Sequence, residues 1–225
     1  MMTVPLFNQF KGRAIKSRLQ NPYDAFWDLK LGVQTFGFHP GSGMQGDADW
    51  QVHYAPTPYA DIFRLLRMVG LGENDVFVDL GCGLGRAVFA ASWMGAKRAV
   101  GIDVVPALCQ RAEENRQSSR LADRAIDFVC DHAANYRHRD TSVLFMFHPF
   151  GEVTMRQVLR GIAENLTEES AKNFRIVYRN PVCESVLQEA GWLECIGRVP
   201  ARSRWLSAAG QYVTSLWRAI PAKIR

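Results

Sequence analysis

A chain of 225 residues, 48% of them hydrophobic, can bury one full core, and that length suggests one domain with an added cap rather than several. The net charge of +5 comes mainly from arginine and suits an acidic acceptor, nucleic acid, an anionic surface or a merely solvated face; without a basic run interleaved with aromatics, nucleic acid is the minority reading. No stretch approaches the roughly twenty apolar residues of a membrane span, and Cys82, Cys109, Cys130, Cys183 and Cys195 lack the spacing of a metal or disulfide framework, so the expectation is reduced thiols, no metal and a cytoplasmic protein.

Residues 4–20 are basic, contain no acid, and place Leu6, Phe10, Ile15 and Leu19 at helical spacing. They predict an amphipathic helix, either a packed cap or a targeting segment. Asn21-Pro22 breaks the pattern. Residues 23–53 set Phe26, Trp27, Phe36, Phe38 and Trp50 among Gly32, Gly37, Gly41, Gly43 and Gly46, which predicts an irregular aromatic lid over the acceptor side, or else a structural wrap. The expected division is therefore 1–53 for helix and lid and 54–225 for the main domain. At Tyr54-Ala55-Pro56-Thr57-Pro58 the chain enters a helix over 59–69, with Thr57 as N-cap and Pro58 at the first helical position.

Residues 76–86 then read strand, tight glycine turn, helix. An apolar run ends with Asp79 inside it, breaks into Gly81, Gly83 and Gly85, and leads to a helical segment over 86–94. Glycines permit close backbone approach to a ligand, and the first turn of the helix presents unpaired N–H groups. Counted from Gly81, the third glycine of a dinucleotide fingerprint should stand where Arg86 is, so the pyrophosphate reading is weakened. Asp79-x-Gly81-x-Gly83-x-Gly85 resembles the first motif of class I S-adenosylmethionine (SAM) dependent methyltransferases, and the resemblance can be followed from about residue 54 to residue 217. It implies that Asp79 meets the methionine ammonium and that the three glycines pass beneath methionine and ribose. The Tyr-x-Pro-Thr stretch is similar to one in several members of that class, which implies Tyr54 and Thr57 over the cofactor; the plain alternative is a helix cap.

Further along, residues 98–104 form an apolar strand carrying Asp103, which follows Gly81 at close to the roughly 20-residue offset at which an acid reaches ribose hydroxyls. A cap for the helix over 106–121 is the competing role. The strand 125–130 leads to Asp131 and His132; the resemblance implies Asp131 against the adenine amino group, with His132 beside it, and a turn cap is the other reading. The strand 142–147 leads to His148-Pro149-Phe150-Gly151, similar to the Asn or Asp, Pro, Pro, aromatic motif of amino-group methyltransferases, which orients the acceptor. Here His148 replaces the amide or acid, so that an imidazole is available as a base. A histidine that only hydrogen-bonds across the strand end is the alternative. An amphipathic helix over 153–166, a strand over 174–178, a helix over 181–190 and strands over 192–199 and 211–220 complete the pattern, the last expected antiparallel.

This alternation predicts an α/β fold: a doubly wound, mostly parallel seven-stranded sheet with helices on both faces and an N-terminal helical and irregular cap, its ligand beyond the carboxyl ends of the strands. The function expected from the resemblance is SAM-dependent methyl transfer to a nitrogen or oxygen, most simply of a small molecule. A protein lysine is the first alternative, and a SAM-binding protein without chemistry the second.

Overall fold

The computed structural model describes residues 21–36, 56–200 and 212–224; the expectations for residues 4–20, for 37–53 and for Tyr54 lie outside them. The described chain runs α1 (Pro22–Leu31), α2 (Tyr59–Met68), β1 (Val76–Leu80), α3 (Arg86–Trp93), β2 (Arg98–Asp103), α4 (Pro106–Ser118) and β3 (Ile126–Cys130). It continues through β4 (Val143–Phe147), α5 (Glu152–Ala163), α6 (Glu168–Ala171), β5 (Arg175–Arg179), α7 (Glu184–Glu189), β6 (Leu193–Val199) and β7 (Thr214–Ala219). One seven-stranded sheet results, in the order β3-β2-β1-β4-β5-β7-β6. All pairs are parallel except those of β7, which lies antiparallel to both β5 and β6.

The sheet is covered on both faces, which is why β1 reads as a continuous apolar run rather than an alternation. Phe77, Ala99, Val143, Phe145 and Val177 face one apolar cluster with Ile62, Leu66, Val88 and Phe89. Val76, Val78, Leu80, Val100, Leu144 and Ile176 face the other, under Met155, Val158, Leu159 and Ile162 of α5. The strand order reverses between β1 and β4, so the crevice outside their carboxyl ends is where such a sheet takes its ligand. Among the described residues no helix is long and apolar enough to cross a membrane.

Two local expectations are corrected. Residues 22–31 are helical rather than an irregular lid, because Asn21 caps the helix by accepting from the Asp24 N–H, Pro22 fits the first turn, and Gly32 ends it at φ 74°. Thr57 is not the N-cap of α2: Pro58 holds that position, and no side chain bonds to the first turn.

The N-terminal helix is fastened by a buried polar cluster centred on Arg86. Its Nη1 lies 2.8 Å from Asp24 Oδ2, its Nε donates to Thr35 Oγ1 at 2.7 Å, and its Nη2 donates to the Thr35 carbonyl at 3.1 Å. The guanidinium also lies 5.0 Å from the ring centres of both Phe36 and Tyr59. Asp28 accepts from the Thr35 hydroxyl and from Tyr59 Oη, and Asp24 accepts from the Tyr59 N–H. Removing the cation leaves two buried carboxylates without it. Arg86→Met is expected to lower unfolding stability by about 3–5 kcal/mol in urea titration; a loss under about 1 kcal/mol would show that the cluster does not hold the cap.

Candidate cofactor and acceptor site

A cavity opens at the carboxyl ends of β1, β2, β3 and β4, and its lining includes Thr57, Asp79, Gly81, Asp103, Asp131, His132, His148, Pro149 and Phe150. Nearly every described residue singled out from sequence is thus brought to one place. Gly83 and Gly85 stand behind that lining and shape it. The Gly83 N–H donates to Asp103 Oδ2 at 2.8 Å. Gly85 starts α3 at φ 86°, and a Cβ there would fall 2.5 Å from Phe128 Cζ, so only glycine fits. A Cβ at Gly81 would fall 2.5 Å from Pro149 Cβ, which shows how closely the glycine loop approaches the loop after β4.

The two strand-end carboxylates differ in how they are satisfied. Asp103 accepts from the Gly83 N–H and, through Oδ1, from the Val105 N–H at 3.0 Å. Burial raises its pKa, and these bonds pull it partly back. Asp79 is 4% exposed and accepts no hydrogen bond from a described residue. Burial, then the Asp103 charge beside it, pushes its pKa well above the usual carboxylate range. Such a group calls for a cation. Thr57 Oγ1, also buried on the lining, has no hydrogen-bond partner. An ammonium at Asp79 and a polar group at Thr57 would supply what the protein leaves out, so these residues fit the amino-acid end of SAM.

Asp131 is exposed, and its Oδ1 accepts from the His132 N–H and from Asn135 Nδ2, while His132 Nδ1 accepts from the Ala134 N–H. His132 therefore caps the short 3₁₀ turn Ala133–Asn135 and Asp131 braces it through the Asn135 side chain, while both line the cavity. The hydrogen bond from Asn135 holds the Asp131 carboxyl below its ordinary range, so it remains an acceptor. His148 sits at φ 39°, a region a non-glycine residue rarely adopts, and its Nδ1 is 3.4 Å from Tyr178 Oη. Burial lowers its pKa, which keeps the imidazole neutral near pH 7. Among the described residues no cluster of side chains could hold a metal ion.

Sequence reasoning passed over Arg86, Val104, Leu108 and Phe147, all on the lining. Arg86 carried a signal, because a cation in the first turn of a helix opposes the helix dipole and needs a compensating partner. Phe147 is propped by the Arg179 guanidinium, 5.4 Å from its ring centre, which in turn pairs with buried Asp61 at 3.0 Å. Nothing local in the sequence announces that pair, since Asp61 and Arg179 lie far apart in the chain.

Residues 77–169 match the family described as Methyltransferase domain. A protein-lysine N-methyltransferase of Saccharolobus islandicus is 33% identical over 75 residues, covering 33% of this chain and 47% of that protein. A ribosomal protein L11 methyltransferase of Chromohalobacter salexigens is 26% identical over 135 residues, 55% of this chain and 44% of its own. The chain thus spans less than half the length of these relatives. An RNA methyltransferase from Salinibacter ruber, solved with S-adenosylhomocysteine, superposes with a TM-score of 0.52 at 22% identity, over 76% of this chain and 99% of that one. A ribosomal protein L11 methylase from Lactobacillus delbrueckii subsp. bulgaricus gives 0.52 at 14% identity, over 74% and 80%. At these identities the likeness is one of fold.

The unsatisfied Asp79 has a measurable cost. A carboxyl whose folded pKa lies above its unfolded one contributes stability at low pH that is lost as pH rises through the folded value. In the ligand-free protein, Asp79→Asn is expected to raise the urea midpoint above neutral pH, with a gap from wild type that closes on acidification. An unchanged or lower midpoint at high pH would mean that Asp79 is compensated after all.

Proposed function

The chain carries a class I, Rossmann-like SAM-dependent methyltransferase domain, and we propose that it transfers the methyl group of SAM to a nitrogen or oxygen of a protein acceptor, with His148 receiving the displaced proton. The observation that carries the reading is the buried, unbonded Asp79 beside the glycine loop, in one cavity with Asp103, Asp131 and His148. Bound SAM would supply a methyl carbon activated by sulfonium. Asp79 then holds the ammonium end with Thr57 over it, Gly81 leaves room for the backbone to approach, and Gly83 and Gly85 set the loop. Asp103 accepts from the ribose hydroxyls with its remaining lone pairs, and Asp131 with His132 faces the adenine. A pyrophosphate in the same place would meet two carboxylates, which disfavours a dinucleotide.

On the acceptor side, Pro149 and Phe150 form the wall and Phe147 the flank. Holding the nucleophile in line with the methyl carbon supplies much of the acceleration, since such alignment is worth up to about 7–11 kcal/mol in well-oriented systems. A neutral imidazole within reach of the attacking atom accepts its proton. Exposed apolar side chains follow the strand ends in the chain, Val153 after β4, Val182 after β5, and Tyr212 and Val213 before β7, and the Tyr212 ring lies 5.1 Å from that of Phe147. Exposed apolar side chains of this kind suit a bulky partner, and relatives named for protein methylation point the same way. A small-molecule acceptor is the second reading, favoured by the aromatic Phe147–Tyr212 pair, which would cover a flat ligand. Five dispersed cysteines without the spacing of a metal or disulfide framework suit a reducing, cytoplasmic working place.

Incubation with methyl-labelled SAM and a cell extract is expected to label a protein band; label confined to the small-molecule fraction would overturn the protein reading in favour of the second. His148→Ala is expected to lower kcat by about 10²- to 10⁴-fold, with the Kd for SAM unchanged by calorimetry. Equal turnover in the variant would remove the imidazole from the chemistry.

A further inference from the structure

We propose that the outer face of α1, with the adjoining parts of α2 and α3, docks on the surface of an anionic lipid bilayer. Helix α1 is built inside out. Its two carboxylates, Asp24 and Asp28, are buried in the polar cluster around Arg86, whereas Phe26 is 54% and Leu29 75% exposed, with Tyr23 exposed beside them. With about 3.6 residues per turn, Tyr23, Phe26, Leu29 and Lys30 share the side turned away from both acids. A helix that borders water normally does the reverse, keeping its apolar stripe inward and its charges out.

The exposed side chains of α1 join others into one surface. The Trp27 ring lies 6.2 Å from that of Tyr23, 5.9 Å from Phe26, 4.5 Å from Phe63 of α2 and 5.7 Å from the exposed Trp93 at the end of α3. An open groove between Tyr23 and Phe63 is bordered by Arg64, Arg67 and the exposed Met68. Single apolar side chains on a surface need no explanation, but a joined group marks a contact site.

Charge chooses the occupant. The acids of α1 and α2, Asp24, Asp28 and Asp61, are all buried, so the charges these helices leave toward water are Lys30, Arg64 and Arg67. None of the three pairs with a carboxylate among the described residues. In sequence, the stretch 4–20 that leads into α1 adds Lys11, Arg13, Lys16 and Arg18 and no acid. A second copy of the same face would set cation against cation, which disfavours self-association. A nucleic acid strand needs free ring faces on which its bases stack. Here the Lys30 ammonium already lies 4.7 Å from the ring centres of both Trp27 and Trp93, and Leu29 and Met68 are not aromatic. A bilayer surface uses all of these groups. Phe26, Leu29 and Met68 enter the acyl boundary, Tyr23 and Trp93 sit at headgroup level, and the cations reach lipid phosphates while their stems lie along the apolar patch.

Sedimentation of the full chain with lipid vesicles tests the assignment. Binding is expected to phosphatidylcholine vesicles that contain phosphatidylglycerol, weakening as salt is raised, with little binding to phosphatidylcholine alone. Replacing the cations together, Lys30→Gln, Arg64→Gln and Arg67→Gln, is expected to lower the partition coefficient about a hundredfold. Phe26→Ser with Leu29→Ser is expected to lower it about tenfold or more. A urea midpoint equal to that of the wild type shows that each variant is folded; should either fail, Leu29→Glu at the most exposed position carries the same expected loss. No binding to the anionic vesicles, equal binding to the neutral ones, or binding that folded variants leave unmoved would overturn the proposal. A polyuridylate strand that displaces the vesicles from the wild type, and that the same substitutions release, would overturn it in favour of nucleic acid.

Discussion

Two carboxylates held out of water at the ends of neighbouring parallel strands set the terms for the rest of the molecule. Asp79 and Asp103 enter one cavity from β1 and β2, and burial raises the pKa of both. The protein treats them unequally. Asp103 is given two backbone donors and becomes the strut that holds Gly83 and Val105, whereas Asp79 is left without a donor among the described residues. A buried carboxylate with no partner is costly unless a ligand completes it. That inequality marks where positive charge belongs.

The surrounding architecture keeps the cost from being relieved internally. Arg86 lies on the cavity lining and could have neutralised the carboxylates, but its donors go to Asp24 and Thr35 and its faces lie against Phe36 and Tyr59. The cation is spent on fastening α1 to α2 and to the first turn of α3. Across the sheet, the Asp61–Arg179 pair ties α2 to β5 and props Phe147 beside His148. The N-terminal helix and the acceptor wall are thus coupled to the same glycine-loop frame through buried ion pairs, which fix geometry more than they add stability.

Much of this was legible in the sequence because the signals are local. Asp79 with its three glycines, Asp103 one strand later, and His148 before Pro149 each sit on a strand-end pattern that folds the same way wherever it occurs, and the structure brings all of them to one crevice. The succession of strands and helices along the chain followed from the alternation of apolar runs and helical segments, whereas the order of the strands within the sheet came only with the structure. What escaped was the part that depends on contacts between distant segments. The stretch after Asn21 read as irregular because its aromatic residues and glycines obscured a helix with a good cap at Asn21 and a good stop at Gly32. Thr57 read as a cap because threonine before Pro58 usually is one, yet the residue lines the cavity and its buried hydroxyl has no hydrogen-bond partner among the described residues. The pairing of Tyr178 with His148 could not be read, since only the register of β4 with β5 sets those side chains together.

The most direct measurement of the central claim is calorimetric titration of the full chain with SAM as a function of pH, for the wild type and for Asp79→Asn. The account requires binding at one site that releases protons, weakens as pH falls through the raised Asp79 pKa, and loses both its pH dependence and about tenfold or more of its affinity in the variant. Equal affinity of the two proteins at every pH, or no binding of SAM by the wild type, would contradict it.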